Sequence, residues 1–373
     1  MRKGIVFLCA FMLVLGGAVS IVLAANYNAQ WKGSLLVWPR IDAVMDYQYE
    51  ILTDTILTIG NDGPANVNLK CYWMDSGPEQ DFSDFQMELS KYKIYTFSAQ
   101  FGGLDLGPTE APPFSGETGK GMLACWAIDD SGRNAVSWNH LYGSAYVIDY
   151  AHNVAYNYNS LNFRSVSTPT LNTATNVIPL PAGPANGSED YGLSLPLDGK
   201  VFDACPAYLI FNFLTEQIGP KPNGFPGFNQ LTLVPCKQDL RQDHSVTKTK
   251  AKFDVWNNYE TKLTNAWACP DCWWDSFLNN TDKPAYGGIH YAAAFGLSAN
   301  KYPVSRFRVT GVKSSQCPGS VATGLMGLLV SYLPYDGNEA PFAFATTGNA
   351  PTAPVASSGF IYWDRSDPDV TRR

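Results

Sequence analysis

The residues of this chain with the most chemical potential are its cysteines. Cys269-Pro270-Asp271-Cys272 is a C-x-x-C pair, a spacing shared by thioredoxin-like redox sites, c-type haem attachment and zinc ribbons. Each use needs a companion that is missing. A redox site needs a βαβ pattern around it, haem needs a histidine where Trp273 stands, and a four-cysteine zinc site needs a second close pair. Disulfides become the first expectation. Cys71 and Cys125 lie in strand-like runs next to Trp73 and Trp126, an arrangement that locks the core of a sandwich, so they are expected to pair. Cys205 and Cys236, each beside a proline, form a second expected bridge. Cys317 is expected to bond Cys272 or Cys269, leaving the other over.

Other reactive types are scattered. No G-x-S-x-G nucleophile elbow occurs. Gly116-Glu117-Thr118-Gly119-Lys120-Gly121 resembles a phosphate loop but has Phe114 for the first glycine and Gly121 for the hydroxyl that would hold magnesium; a turn before a strand fits better. His140, His152, His244 and His290 include no i, i+2 or i, i+4 pair, the spacing of a zincin-type site. Asp75, Glu79, Asp81 and Asp84, and separately Asp129 and Asp130, sit in turns without EF-hand spacing. Trp31, Trp138, Trp273, Trp274 and Trp363 are the candidates for stacking on sugars, although a sandwich core also takes tryptophan. No catalytic residue, metal ligand or cofactor site is assigned.

The elements that must carry these residues read as strands. Segments 34–38, 55–59, 66–73, 85–89, 94–97, 121–128 and 144–150 show period-2 patterning bounded by Gly, Asn, Asp and Pro, the signature of half-buried antiparallel strands. In 66–73, Val67, Leu69, Cys71 and Trp73 share a face. Strands resume at 207–214, 231–235, 250–256, 307–312 and 324–333, with a short one at 359–363. Between the two sets, 160–200 is rich in Ser, Thr, Asn, Pro and Gly. The halves also share a loose pattern: a strand, an Asn turn, Cys and Trp, a later cysteine, and a strand opened by Gly143 or Gly327. These features predict an all-β chain of two tandem antiparallel β-sandwich (Ig-like) domains with long loops: domain 1 over 25–160, a linker or long loop over 161–199, and domain 2 over 200–373.

Residues 1–24 read as a signal peptide, with Arg2 and Lys3 ahead of an uncharged apolar run that ends in small residues. The 373 residues are 45% hydrophobic, 13% aromatic and 16% charged, with a net charge of −7. That composition supports a packed core and argues against a nucleic-acid partner, whose binders concentrate Lys and Arg. No second long apolar run follows, so no membrane span is expected after signal cleavage.

Lys70-Cys71-Tyr72-Trp73, Leu123-Ala124-Cys125-Trp126-Ala127, Asn139-His140-Leu141-Tyr142-Gly143-Ser144-Ala145 and Leu231-Thr232-Leu233-Val234-Pro235-Cys236 resemble segments of a group of exported β-rich proteins of deltaproteobacteria-like environmental bacteria. The resemblance spans most of the mature chain. It implies export and a β body, and no activity attaches to that group. The expectation is an exported, non-enzymatic protein of the extracellular space, cell surface or periplasm, with a structural, adhesive or assembly role and a surface protein or polysaccharide as partner. A carbohydrate-binding protein and then a secreted glycoside hydrolase are the alternatives.

Overall fold

The computed structural model describes residues 32–46, 48, 50–76, 82–103, 111–132, 134–151, 153–165, 177–179, 194–197, 199, 201–214, 228–239, 247–256, 262–278, 304–333, 342–347 and 360–362. Residues 1–24, read from the sequence as a signal peptide, lie outside them. Every element among the described residues is a β-strand, and every strand pairing is antiparallel. No helix among them is long and apolar enough to cross a membrane.

One sheet runs Leu161–Phe163, Leu35–Asp42, Lys120–Ile128, Val67–Asp75, Phe82–Leu89, with Asn134–Val136 and Val177–Pro179 attached at its side. A ten-stranded sheet begins with Trp274–Phe277, Phe228–Pro235, Leu325–Leu333, Phe342–Thr347 and Phe360–Tyr362. It then crosses to Val154–Asn159, Leu141–Asp149, Thr53–Asn61, Ile94–Ser98 and Gly102–Gly103. A third sheet of four strands orders Leu209–Leu214, Val304–Val312, Lys250–Trp256 and Lys262–Ala268.

Alternation explains the packing. Val67, Leu69, Cys71 and Trp73 join one buried cluster with Leu57, Phe97, Val147 and Val330. Tyr72 and Met74, on the opposite face of the same strand, join a second with Leu209, Phe211, Leu233, Phe253 and Phe307. The strands Leu35–Asp42 and Val67–Asp75 are therefore covered on both faces, unlike the half-buried strands expected. Both clusters contain residues from the two ends of the chain. The ten-stranded sheet likewise takes strands from both sides of the 161–199 stretch.

The stretch read as a linker contributes Leu161–Phe163, Val177–Pro179 and Ser194–Pro196, each too short to show alternation. Leu161 and Phe163 pair with Val37 and Leu35 and are fully buried. The first strand also runs past Pro39, where the sequence suggested its end. Its register shifts between Trp38 and Ile41, and an irregularity of this kind accommodates a proline that has no N–H to donate. Gly143 is needed because the Trp38 indole lies against it: a Cβ there would meet the ring at 2.2 Å.

Candidate ligand-binding face

The cysteines form three bridges. Cys71 and Cys125 stand directly opposite each other on adjacent strands, Cα atoms 4.1 Å apart. This staple therefore lies within one sheet rather than between two. Cys205 bonds Cys236. Cys317 bonds Cys269, so Cys272, offered by the sequence as an alternative partner, stays outside the bridges. Cys272 has a φ of 44° and is buried in the hydrophobic cluster beside Trp273, while its backbone N–H donates to Thr247. Cys269 follows the strand Lys262–Ala268 whereas Cys71 lies mid-strand, so the loose pattern shared by the halves does not put these cysteines at equivalent positions.

The remaining sequence candidates are dispersed. Trp138 and Trp273 are buried and Trp274 packs on the core; Trp31 and Trp363 lie outside the described residues. Asp75 accepts from Thr118 Oγ1 at 2.7 Å and from the Glu117 N–H at 3.0 Å, which pins the 116–121 turn, with Gly119 at φ +64°. Asp84 pairs with Lys70, and Asp129 accepts from Ser131 and Asn134. Glu79 and Asp81 lie outside the described residues, as do His152, His244 and His290. His140 contacts Asp62 at 3.2 Å. Among the described residues no group of three or more His, Cys, Asp or Glu could hold a metal.

Two carboxylates converge at Arg40, and paired carboxylates are what glycoside hydrolysis requires. Arg40 Nε donates to Asp42 at 2.6 Å, Nη1 to Asp275 at 3.4 Å and Nη2 to Gln230 at 2.7 Å. Tyr156 donates to Asp42, and Thr232 and Gln230 donate to Asp275. Burial pushes the Asp42 carboxyl up, but Arg40 and Lys120 more than offset it and leave it lowered. Burial dominates at Asp275 and raises it. Such opposed shifts can mark an acid–base pair. Here the side chains of Arg40, Asp42 and Asp275 are only 3%, 5% and 8% exposed. Asp42 comes from the first strand and Asp275 from Trp274–Phe277, so the cluster ties the two ends of the chain together.

The four-stranded sheet presents a different chemistry. Ala251, Phe253, Val255, Phe307 and Val309 point into the core, so alternation places Lys250, Lys252, Asp254, Trp256, Arg306 and Arg308 on the opposite face. Register sets Trp256 opposite both Arg306 and Lys262, Asp254 opposite Arg308, and Lys252 opposite Trp267. Lys262 Nζ lies 5.6 Å and the Arg308 guanidinium 5.7 Å from the Trp256 ring centre. Arg308 also covers Tyr208 at 5.4 Å, and Lys250 covers Trp267 at 5.3 Å. Each exposed contact of this kind contributes about 0.5–1 kcal/mol. Asp254 takes Arg308 and, at 3.2 Å, Lys262. Burial raises its carboxyl, and those two partners outweigh burial and hold it lowered. Arg306 is held by Asn212 at 3.0 Å. Among the described residues the face is thus a set of cations, three of them over rings, surrounding one carboxylate, on a protein whose net charge is −7.

Sequence reasoning missed this face because its residues come from distant segments. The alternation Lys250, Lys252, Asp254, Trp256 was visible, but only pairing brings Arg306, Arg308 and Lys262 beside it.

No family model matches the chain, and no curated protein matches it. Among solved structures, the N-terminal CBM22-1-CBM22-2 tandem domain from Paenibacillus barcinonensis Xyn10C is similar at 7% identity and a TM-score of 0.16, over 82% of this chain and 91% of that one. A likeness of that size carries no argument about this protein.

Proposed function

We propose that this chain is an exported, non-enzymatic protein of the cell surface or envelope with an adhesive role, and that it holds polysaccharide on the outer face of its four-stranded sheet. The observation that supports this reading most is the ordered array of Trp256, Trp267 and Tyr208 with Lys250, Lys262, Arg306 and Arg308. Three disulfides fit an oxidising compartment. The buried carboxylates are engaged by Arg40, which speaks for a body built to hold its shape rather than to turn over substrate.

Affinity electrophoresis of the disulfide-intact protein through gels containing plant and bacterial polysaccharides tests the reading. Retardation by at least one polysaccharide is expected, and Trp256→Ala, which removes the ring that orders Lys262 and Arg308, should weaken it. Unchanged mobility in every gel, or retardation untouched by Trp256→Ala, would overturn the assignment.

A further inference from the structure

Building on the polysaccharide reading, we infer that the ligand is an acidic polysaccharide, one bearing carboxylate or sulfate groups, bound by the cations of this face rather than by stacking on its rings. The geometry of the rings is the first reason. Sugar stacking needs an open aromatic face, yet Trp256 stands on the central strand Lys250–Trp256 with Lys262 on one neighbouring strand and Arg308 on the other, both within cation–π reach. Lys250 sits over Trp267 in the same way. A neutral glycan would have to displace these cations, whereas an anionic one meets donors already held in place.

Charge is the second reason. Among the described residues, Lys250, Lys252, Lys262, Arg306 and Arg308 face one carboxylate, and Asp254 has its oxygens engaged by Arg308 and Lys262. The Lys262 and Arg308 side chains remain 44% and 35% exposed, so each keeps donors for a ligand. An Arg fork suits a planar carboxylate or a sulfate.

Extent is the third. Trp256 lies opposite Lys262, and Trp267 opposite Lys252, four residues back along the same strand. At about 3.3 Å per residue, the two ring–cation units stand roughly 13 Å apart along the strand. A ligand touching both is an oligomer rather than a single sugar. Single-stranded nucleic acid is the other polymeric anion to weigh, but its binders offer open rings on which bases stack, and the rings here are covered.

The test compares polygalacturonate with the same polymer fully methyl-esterified, which keeps the sugars and removes the charge. Alginate, dextran sulfate, neutral dextran and an oligodeoxynucleotide complete the panel. The intact chain should bind at least one acidic polymer, with affinity falling as salt is raised, and methyl-esterification should abolish any binding of polygalacturonate. Lys262→Gln combined with Arg308→Gln should weaken binding by about tenfold or more, the loss of charge-assisted contacts. Should that variant fail to fold, Lys250→Gln with Lys252→Gln tests the same face away from the Asp254 ion pairs. Equal affinity for charged and neutral polymers overturns the charge inference and leaves the polysaccharide reading standing. Binding of the oligodeoxynucleotide alone, or of nothing in the panel, overturns the inference; the first outcome also removes polysaccharide as the ligand class.

Discussion

Replacing Arg40 with methionine removes the cation on which Asp42, Asp275 and Gln230 converge while keeping much of its apolar stem. Breaking a buried ion pair from one side costs about 3–5 kcal/mol, because the partner charge is left uncompensated. Unfolding entropy near 2.1 cal/mol/K per residue makes that a fall in Tm of roughly 4–6 °C for a chain of this size. The pH dependence is the sharper signature. In the parent, Asp42 is held below its ordinary value of 3.8, so it contributes stability above that pH and loses it as pH falls through its folded value. Asp275 is raised above 3.8, so ionising it opposes folding, and acid relieves that cost. Without Arg40, Asp42 keeps only Lys120 and the Tyr156 hydroxyl against its burial, so its carboxyl rises and protonation relieves more of the cost. The Tm deficit of Arg40→Met against the parent should be largest near pH 7 and shrink toward pH 4.5. Differential scanning calorimetry at both values, with disulfides intact, measures it. A deficit that is constant or grows in acid refutes the electrostatic account of the junction.

Other outcomes follow from the packing. Gly143→Val should lower Tm clearly, at a cost of about 1–3 kcal/mol from overpacking, because Trp38 occupies the space its side chain needs; an unchanged calorimetric Tm would contradict that contact. Cys71→Ala with Cys125→Ala opens a loop of 54 residues and should cost up to about 4 kcal/mol, read from urea unfolding. Non-reducing peptide mapping with cleavage before Asp271 should return Cys269, not Cys272, linked to Cys317. Asp254→Asn should cost little at pH 7, since its partners are solvent-screened, and chemical-shift titration should show that a carboxyl titrating below 3.8 has been removed.

Much of the fold was legible because strand alternation is local. Val67, Leu69, Cys71 and Trp73 shared a face in the sequence and share a core in the structure. What stayed hidden was set by pairing between distant segments. Leu161–Phe163 is too short to announce a strand, yet it borders Leu35–Asp42. The second buried face of Val67–Asp75 depends on Phe211, Phe253 and Phe307 arriving from the far end of the chain. The choice of Cys269 over Cys272 goes with the left-handed backbone at Cys272, φ 44°, which a C-x-x-C spacing does not encode. The candidate face was half legible: Lys250, Lys252, Asp254 and Trp256 alternate openly, whereas Arg308 and Lys262 reach them only through register.

The most direct test of the central claim is a map of where ligand contacts the protein. Hydroxyl-radical footprinting of the intact chain, with and without the polymer it binds best, reads side-chain protection residue by residue. The account predicts protection concentrated on Trp256, Trp267 and Tyr208, with Trp38 and Trp138 unchanged in the core. Protection elsewhere on the surface, with Trp256 and Trp267 as reactive as before, would contradict it.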